Sequence, residues 1–207
     1  MSAADRHRLT DRVHRTFDRL SRYHEIAQVS GIARRYFAMN AFDGVLTSLG
    51  ILVGAFVGGV EQAGAVVSVV AAAAASMGVS GAYGSFLIER AERGRALREL
   101  EESTLSRLHD TDIGAASRYA SVVIAVIDGL SPAIASAIIL IPFLAGGRGH
   151  LHAAYYAGGG IAFVELFLLG IFLGRVSRER LIVSGLKLVV AGVISLGLSL
   201  LLNAGKL

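Results

Sequence analysis

Five stretches of about twenty residues or more are apolar almost without interruption: 40–59, 63–88, 119–146, 151–173 and 184–202. In a bilayer every backbone N–H and C=O must find its partner within its own segment, so runs of this length form helices. The pattern predicts an all-α integral membrane protein with five transmembrane helices. Ahead of them, residues 1–35 are charged. Leu9, Val13, Phe17 and Leu20 recur there at helical steps with Arg and Asp between them, which predicts a narrowly amphipathic arm lying on the inner membrane surface or against a partner. No apolar run precedes Tyr36, so no signal peptide is expected and the start of the chain should stay inside. The organisation read this way is an arm over 1–35 and a five-helix membrane domain over 36–207, with a short charged cytoplasmic helix at about 89–117.

Charge orients the bundle. Of the 20 Lys and Arg residues, most precede the first helix, lie between Arg90 and Arg118, or sit at Arg175, Arg178 and Arg180, whereas the turn at Glu61 carries none. Basic residues are retained inside, which places the amino terminus inside and the carboxyl terminus outside. A formal charge of +4 and a pI near 9.8 are accounted for by this topology, and no nucleic-acid partner is expected. For a membrane protein of prokaryotic size, the expected setting is the cytoplasmic membrane. The chain has no Cys, which excludes disulfides and thiolate metal sites. Lacking Trp, it has Tyr36, Tyr119, Tyr155 and Tyr156 as candidate interface anchors.

Against this apolar background the polar residues stand out. Asp43 lies just inside the first run, and steps of four, three and four lead from it to Thr47, Gly50 and Gly54, with Gly58 beyond. That face is a groove of small residues into which another helix can pack. The second run is rich in small residues from Ala71 to Ser85 and should be packed among helices; its Met77 is either a gap filler or a soft metal ligand. Asp128 lies ten residues past Arg118, about 15 Å along a helix, and Pro132 and Pro142 follow it, so this helix is expected to kink. The two Asp-Gly pairs, at Asp43 and Asp128, hint at a parallel internal repeat. Glu165, among Phe163, Val164, Leu166 and Phe167, must be protonated, paired or facing a cavity; Lys187 and a transported cation are its candidate partners. Glu89, Glu92, Glu99, Glu101, Glu102, His109, Asp110 and Asp112 form an acidic segment. Either pairs such as Glu92–Arg95 and Arg98–Glu102 lace a solvated helix, or Glu89, Glu92, Glu99, Glu102, His109 and Asp110 gather divalent cations at an inner mouth. His7, His14 and His24 read as surface residues. No nucleophile and base pair, and no His-Glu-x-x-His spacing, argues for an enzyme.

Four stretches, FDGVLTSLGILVGA, ASMGVSGAYGSFLIERAER, the Pro142 end of the third helix and RLIVSGLKLVVAG, together resemble the vacuolar iron transporter-like family of five-helix Fe²⁺ and Mn²⁺ transporters. The chain looks like a short prokaryotic branch: the long glutamate-rich cytoplasmic domain is replaced by a short loop, and Ser80-Gly81-Ala82-Tyr83 stands where that family has Gly-Glu-Tyr. The resemblance implies a homodimer with metal as substrate and no organic cofactor. Asp43 and Met77 would lie on the path between helices one and two; helical spacing adds Thr47 to the face of Asp43 on that path, with Gly50, Gly54 and Gly58 serving packing. The acidic segment would stand in for the metal-binding domain, whereas Asp128 and Glu165 lie outside that family's pattern and are, on the transporter reading alone, the residues that would couple protons or ions. The competing expectation is a membrane scaffold that transports nothing and whose arm binds anionic lipid or a soluble partner.

Overall fold

Long apolar segments rich in Ala, Leu, Ile and Val become helices, and the computed structural model of the chain, which describes residues 21–27, 29–145 and 150–204, contains five of them. They are α1 (Val29–Val57), α2 (Ala63–Thr104), α3 (Asp112–Ala145), α4 (Leu151–Ser177) and α5 (Leu181–Ala204). All five are long and apolar enough to cross a membrane, and no strand occurs among the described residues. The amphipathic stretch expected at Leu9 to Leu20 lies outside them.

The helices outrun the apolar segments. α1 begins before Arg34 and Arg35, and α2 runs on through the charged stretch as far as Thr104. Hydropathy marks what a bilayer would cover, whereas the Ala, Leu, Glu and Arg of 89–104 are themselves strong helix formers and contain no Pro to stop the helix. The separate charged helix expected at about 89–117 is therefore the end of α2, a turn, and the start of α3. α3 in turn stays one α-helix across Pro132 and Pro142.

Three helices stop by the same device. Gly59, Leu105 and Arg178 adopt the left-handed conformation, with φ of 67°, 51° and 56°. The next residue's N–H then reaches back five positions: Val60 to the Ala55 carbonyl at 3.0 Å, Ser106 to Glu101 at 3.3 Å and Glu179 to Gly174 at 3.0 Å. Such closures satisfy carbonyls that the helix end leaves orphaned. Glycine adopts this conformation without a Cβ penalty and leucine does not. Leu105 is 93% exposed, so Leu105→Gly removes strain without losing packing. The variant is expected to gain about 0.5 to 1 kcal/mol, read as a raised unfolding temperature.

The chain divides into two compact units, Met1–Arg34 with Ala82–Ile127, and Arg35–Gly81 with Asp128–Leu207. In the first unit the Glu101 carboxylate accepts hydrogen bonds from the N–H groups of Leu108 and His109 at 2.6 and 3.0 Å. Arg118 Nη1 donates to the His109 carbonyl at 3.1 Å. The turn between α2 and α3 is thus tied at both ends.

The second unit has a core of Val45, Leu49 and Leu52 from α1, Val66 and Val70 from α2, Ile139, Leu140 and Phe143 from α3, and Ala162 and Leu166 from α4. Within it α1 and α3 meet turn by turn: Asn40 with Asp128, Gly44 with Pro132, and Ser48 with Ser136. Advancing one turn on either helix advances the contact on the other, so the two run parallel. Ser48 Oγ and Ser136 Oγ are 2.9 Å apart, which satisfies two buried hydroxyls at once. Tyr155, expected at an interface, is buried: its hydroxyl donates to the Val60 carbonyl at 3.0 Å and its ring packs on Phe143 and Phe56.

The closest helix approach belongs to α4 and α5. A Cβ added at Gly170 would lie 2.4 Å from the Ser184 carbonyl oxygen, one at Gly174 would lie 2.8 Å from the Ser184 side chain, and one at Gly185 would meet Phe167 at 2.6 Å. Small residues at this spacing bring backbones together, as in membrane helix pairs generally. On α1, by contrast, a Cβ at Gly50 would meet only Ser199 Oγ, at an ordinary 3.7 Å, and Gly58 faces its own helix. α2 does not pack on all sides as its small residues suggested. Val66, Val70, Ala74 and Gly78 form one buried stripe, and Ala71, Ala72, Ala75, Ser76 and Ser80 are exposed.

Candidate functional site

Asp43 and Gly44 are adjacent in sequence and therefore about 100° apart around α1. Gly44 is buried against Pro132, while Asp43 is exposed on the outer face of its unit. Asp43 makes no hydrogen bond or ion pair to any other described residue. Its Cα lies eight residues beyond Arg35, about 12 Å along the helix, and three residues into the apolar run that begins at Asn40. Thr47, one turn further on, is half-buried, as are Gly50 and Gly54, whereas Gly58 is exposed.

Helix register relates Asp43 to Met77. A Cβ on Gly81 would lie 3.5 Å from Asn40 Oδ1 and 3.3 Å from Asp128 Oδ2, so α1, α2 and α3 meet at that level. The short link 58–62 makes α1 and α2 antiparallel. Three residues forward on α1 and four back on α2 both move about 4.5 to 6 Å in the same direction, which puts Asp43 and the half-buried Met77 at one depth. The two Asp-Gly pairs are not equivalent. Asp128 is 3% exposed and accepts a hydrogen bond from Asn40 Nδ2, and Gly129 faces Gly78 of α2, where an added Cβ would be 2.6 Å from the Gly129 carbonyl oxygen. Asn40, Ser48 and Ser136 thus make the polar contacts between α1 and α3, although sequence reasoning passed over them as site residues. For Ser48 and Ser136 a signal was present, because each shares a face with buried apolar residues one turn away, Val45 and Leu52 for the first and Ile139 and Leu140 for the second.

Glu165 is not paired with Lys187. Lys187 Nζ lies 2.8 Å from Glu179 Oε2, and Ser184 Oγ donates to that oxygen at 3.3 Å. Both Glu165 carboxylate oxygens are buried and have no hydrogen-bond partner among the described residues. Lys187 sits near the start of α5 and reaches Glu179 across the tight turn, a nearer partner than mid-helix Glu165. The hydrogen bond from Lys187, its charge and then Ser184 hold the Glu179 carboxyl below the ordinary glutamate value. A depressed folded value means that the link is complete above the unfolded pKa and is lost as pH falls through the folded one. Lys187→Met is therefore expected to move the Glu179 titration midpoint up toward the ordinary value, which carboxyl ¹³C NMR reads directly.

The acidic segment is mostly bound to itself. Glu89, 4% exposed, pairs with Arg93 Nε at 3.0 Å, and Arg93 Nη1 donates to the Ala27 carbonyl at 3.4 Å. Arg95 pairs with Glu99 at 2.8 Å. The helix pairs observed are thus Glu89–Arg93 and Arg95–Glu99 in place of the expected Glu92–Arg95 and Arg98–Glu102, and Asp112 lies 3.7 Å from Arg22. Glu92, Glu102, His109 and Asp110 are exposed. Among the described residues no three His, Asp or Glu side chains form a group able to hold a metal ion.

Neither a family model nor a solved structure matches this chain. Over 167 residues it is 30% identical to the uncharacterized protein MJ0645 of Methanocaldococcus jannaschii, an alignment that covers 79% of this chain and 84% of the relative. That length takes in most of the five-helix region, so the likeness is one of whole chains and not of a single apolar helix. The chain belongs to the same family as MJ0645.

Proposed function

We propose that the protein is a divalent-metal transporter of the vacuolar iron transporter-like kind, carrying Fe²⁺ or Mn²⁺ across the cell membrane as a homodimer, with its amino terminus inside and its carboxyl terminus outside. The observation that carries this reading is Asp43, an acid just inside an apolar run and about 12 Å along the helix past Arg35, which is exposed and meets no partner within the described chain. A carboxylate left at the centre of lipid costs about 2.5–3.5 kcal/mol on insertion scales, somewhat less nearer the interface. A second copy presenting its own Asp43, with a cation between the two, removes that cost. The exposed small residues Ala72, Ala75, Ser76 and Ser80 of α2 would let such a copy approach closely.

Met77, at the same depth as Asp43, supplies a thioether. A mixed oxygen and sulfur donor set suits Fe²⁺ or Mn²⁺ better than Mg²⁺, which binds through oxygen and gives up its waters reluctantly. Thr47 would border the path with a hydroxyl. Asp128 and Glu165 are the candidates for coupling protons or ions. The exposed Glu92, Glu102, His109 and Asp110 would serve at most to concentrate cations at the inner surface.

The test is flux in proteoliposomes loaded with a metal-sensing dye. Protein-dependent entry of Mn²⁺ or Fe²⁺ in excess of Mg²⁺ is the expected result. Vesicles carrying folded protein that pass no more metal than empty ones would overturn the reading.

A further inference from the structure

A pocket of about 220 Å³ lies between α1, α3 and α4, walled by Phe37, Ala41, Ile134, Ile138, Leu168 and Phe172 together with Glu165. Phe37 and Phe172 meet edge to face across it, with ring centroids 5.9 Å apart. Ile134, Ile138 and Leu168 are also exposed on the outside of the unit, so the pocket opens toward the apolar surroundings of the span. Among the described residues Glu165 is the only charged one in its lining. Both Glu165 oxygens are buried without a hydrogen-bond partner among the described residues, and Lys187 is engaged elsewhere.

An ionised carboxyl in such a place needs a compensating positive charge, and a neutral one needs a proton. A metal ion is a poor fit, because it would ask for several donors and, besides Glu165, the described walls supply one hydroxyl, that of Ser131, among side chains of Phe, Ala, Ile and Leu. An organic ammonium asks for less: one counter-charge, apolar walls for its body and aromatic rings near its head. We infer that this pocket binds an amphiphilic organic monocation, a primary amine with an aromatic or short aliphatic body, entering from the bilayer, with the Glu165 side chain turning its covered carboxylate toward the bound amine as counter-ion. The inference concerns a site remote in sequence from Asp43 and Met77, and it stands whether or not metal is transported.

The experiment is equilibrium binding of tritiated 2-phenylethylammonium to the full chain in detergent micelles, with protein-free micelles subtracted. Saturable binding is expected. It should weaken at least about tenfold in Glu165→Gln, which keeps the shape and loses the charge. The neutral analogue 2-phenylethanol should fail to compete at concentrations where unlabelled amine does. Phe172→Ala, which leaves Glu165 in place, should weaken binding severalfold. Wild-type protein that elutes as a folded species yet binds no amine saturably would overturn the inference and leave a proton as the carboxyl's companion. Equal affinity in Glu165→Gln, or full competition by the alcohol, would overturn it equally by showing a merely apolar cavity.

Discussion

Asp43→Asn is expected to lower Mn²⁺ or Fe²⁺ flux in proteoliposomes about a hundredfold while leaving the protein folded. Asn is close in size and the position is exposed, so no packing is lost. What disappears is the charge that would hold a divalent cation part-way across the span. Loss of a neighbour that only orients a metal ligand typically costs 10–100-fold, and a charged ligand should cost no less. Met77→Leu should have a smaller effect, because a thioether adds softness and no charge. The scaffold reading gives the opposite pattern: Asp43→Asn would break the dimer on a sizing column, and metal flux, absent already, would not change. Flux that persists in Asp43→Asn would falsify the path assigned to this face even if the protein transports metal.

Gly44→Val is expected to damage the fold severely. An added Cβ at Gly44 would lie 2.7 Å from Pro132 Cα and 2.9 Å from the Pro132 carbonyl oxygen. Those are backbone atoms, which cannot rotate aside as a side chain can. Overpacking a core costs typically 1–3 kcal/mol, and here α1 and α3 would have to separate, pulling on the Asn40–Asp128 and Ser48–Ser136 contacts one turn away on either side. A loss of about 3 kcal/mol or more is expected, read as a large drop in unfolding temperature or failure to accumulate in the membrane. Gly159→Ala is the matched control. No other atom lies within 4 Å of its added Cβ, so its stability should stay within about 0.5 kcal/mol of the parent. If both variants behave alike, the parallel contact between α1 and α3 is not what holds this unit together.

Some of this could be read directly from residue order. Asp-Gly at 43–44 was legible as a place where an acid and a missing side chain coincide. That the glycine would face α3 and the acid would face outward was not, because two neighbours on a helix point about 100° apart and sequence does not say which direction is inward. Glu165 was legible as an acid needing an explanation, yet Lys187, its obvious partner on paper, is taken by Glu179 in the turn preceding α5. Glycine spacing misled in a similar way. Gly50, Gly54 and Gly58 form the more conspicuous stripe, but Gly44, Gly78 and Gly170 are where an added Cβ would strike the backbone of another helix. An open groove and a filled one have the same spacing.

Residue order by itself determined that five segments are helical and long enough to cross a membrane, since the cost of leaving backbone polar groups unpaired in lipid is paid segment by segment and depends on no neighbour. It also determined which polar residues those segments carry. Only the tertiary structure decided which of them are covered: Asp128 tied to Asn40 beneath three helices, Asp43 on an outer face, Glu165 beside an apolar pocket. The reason is that a helix's rotation about its own axis is set by contacts with residues far away in the chain, such as Gly44 against Pro132, and a turn of 100° exchanges a buried acid for an exposed one.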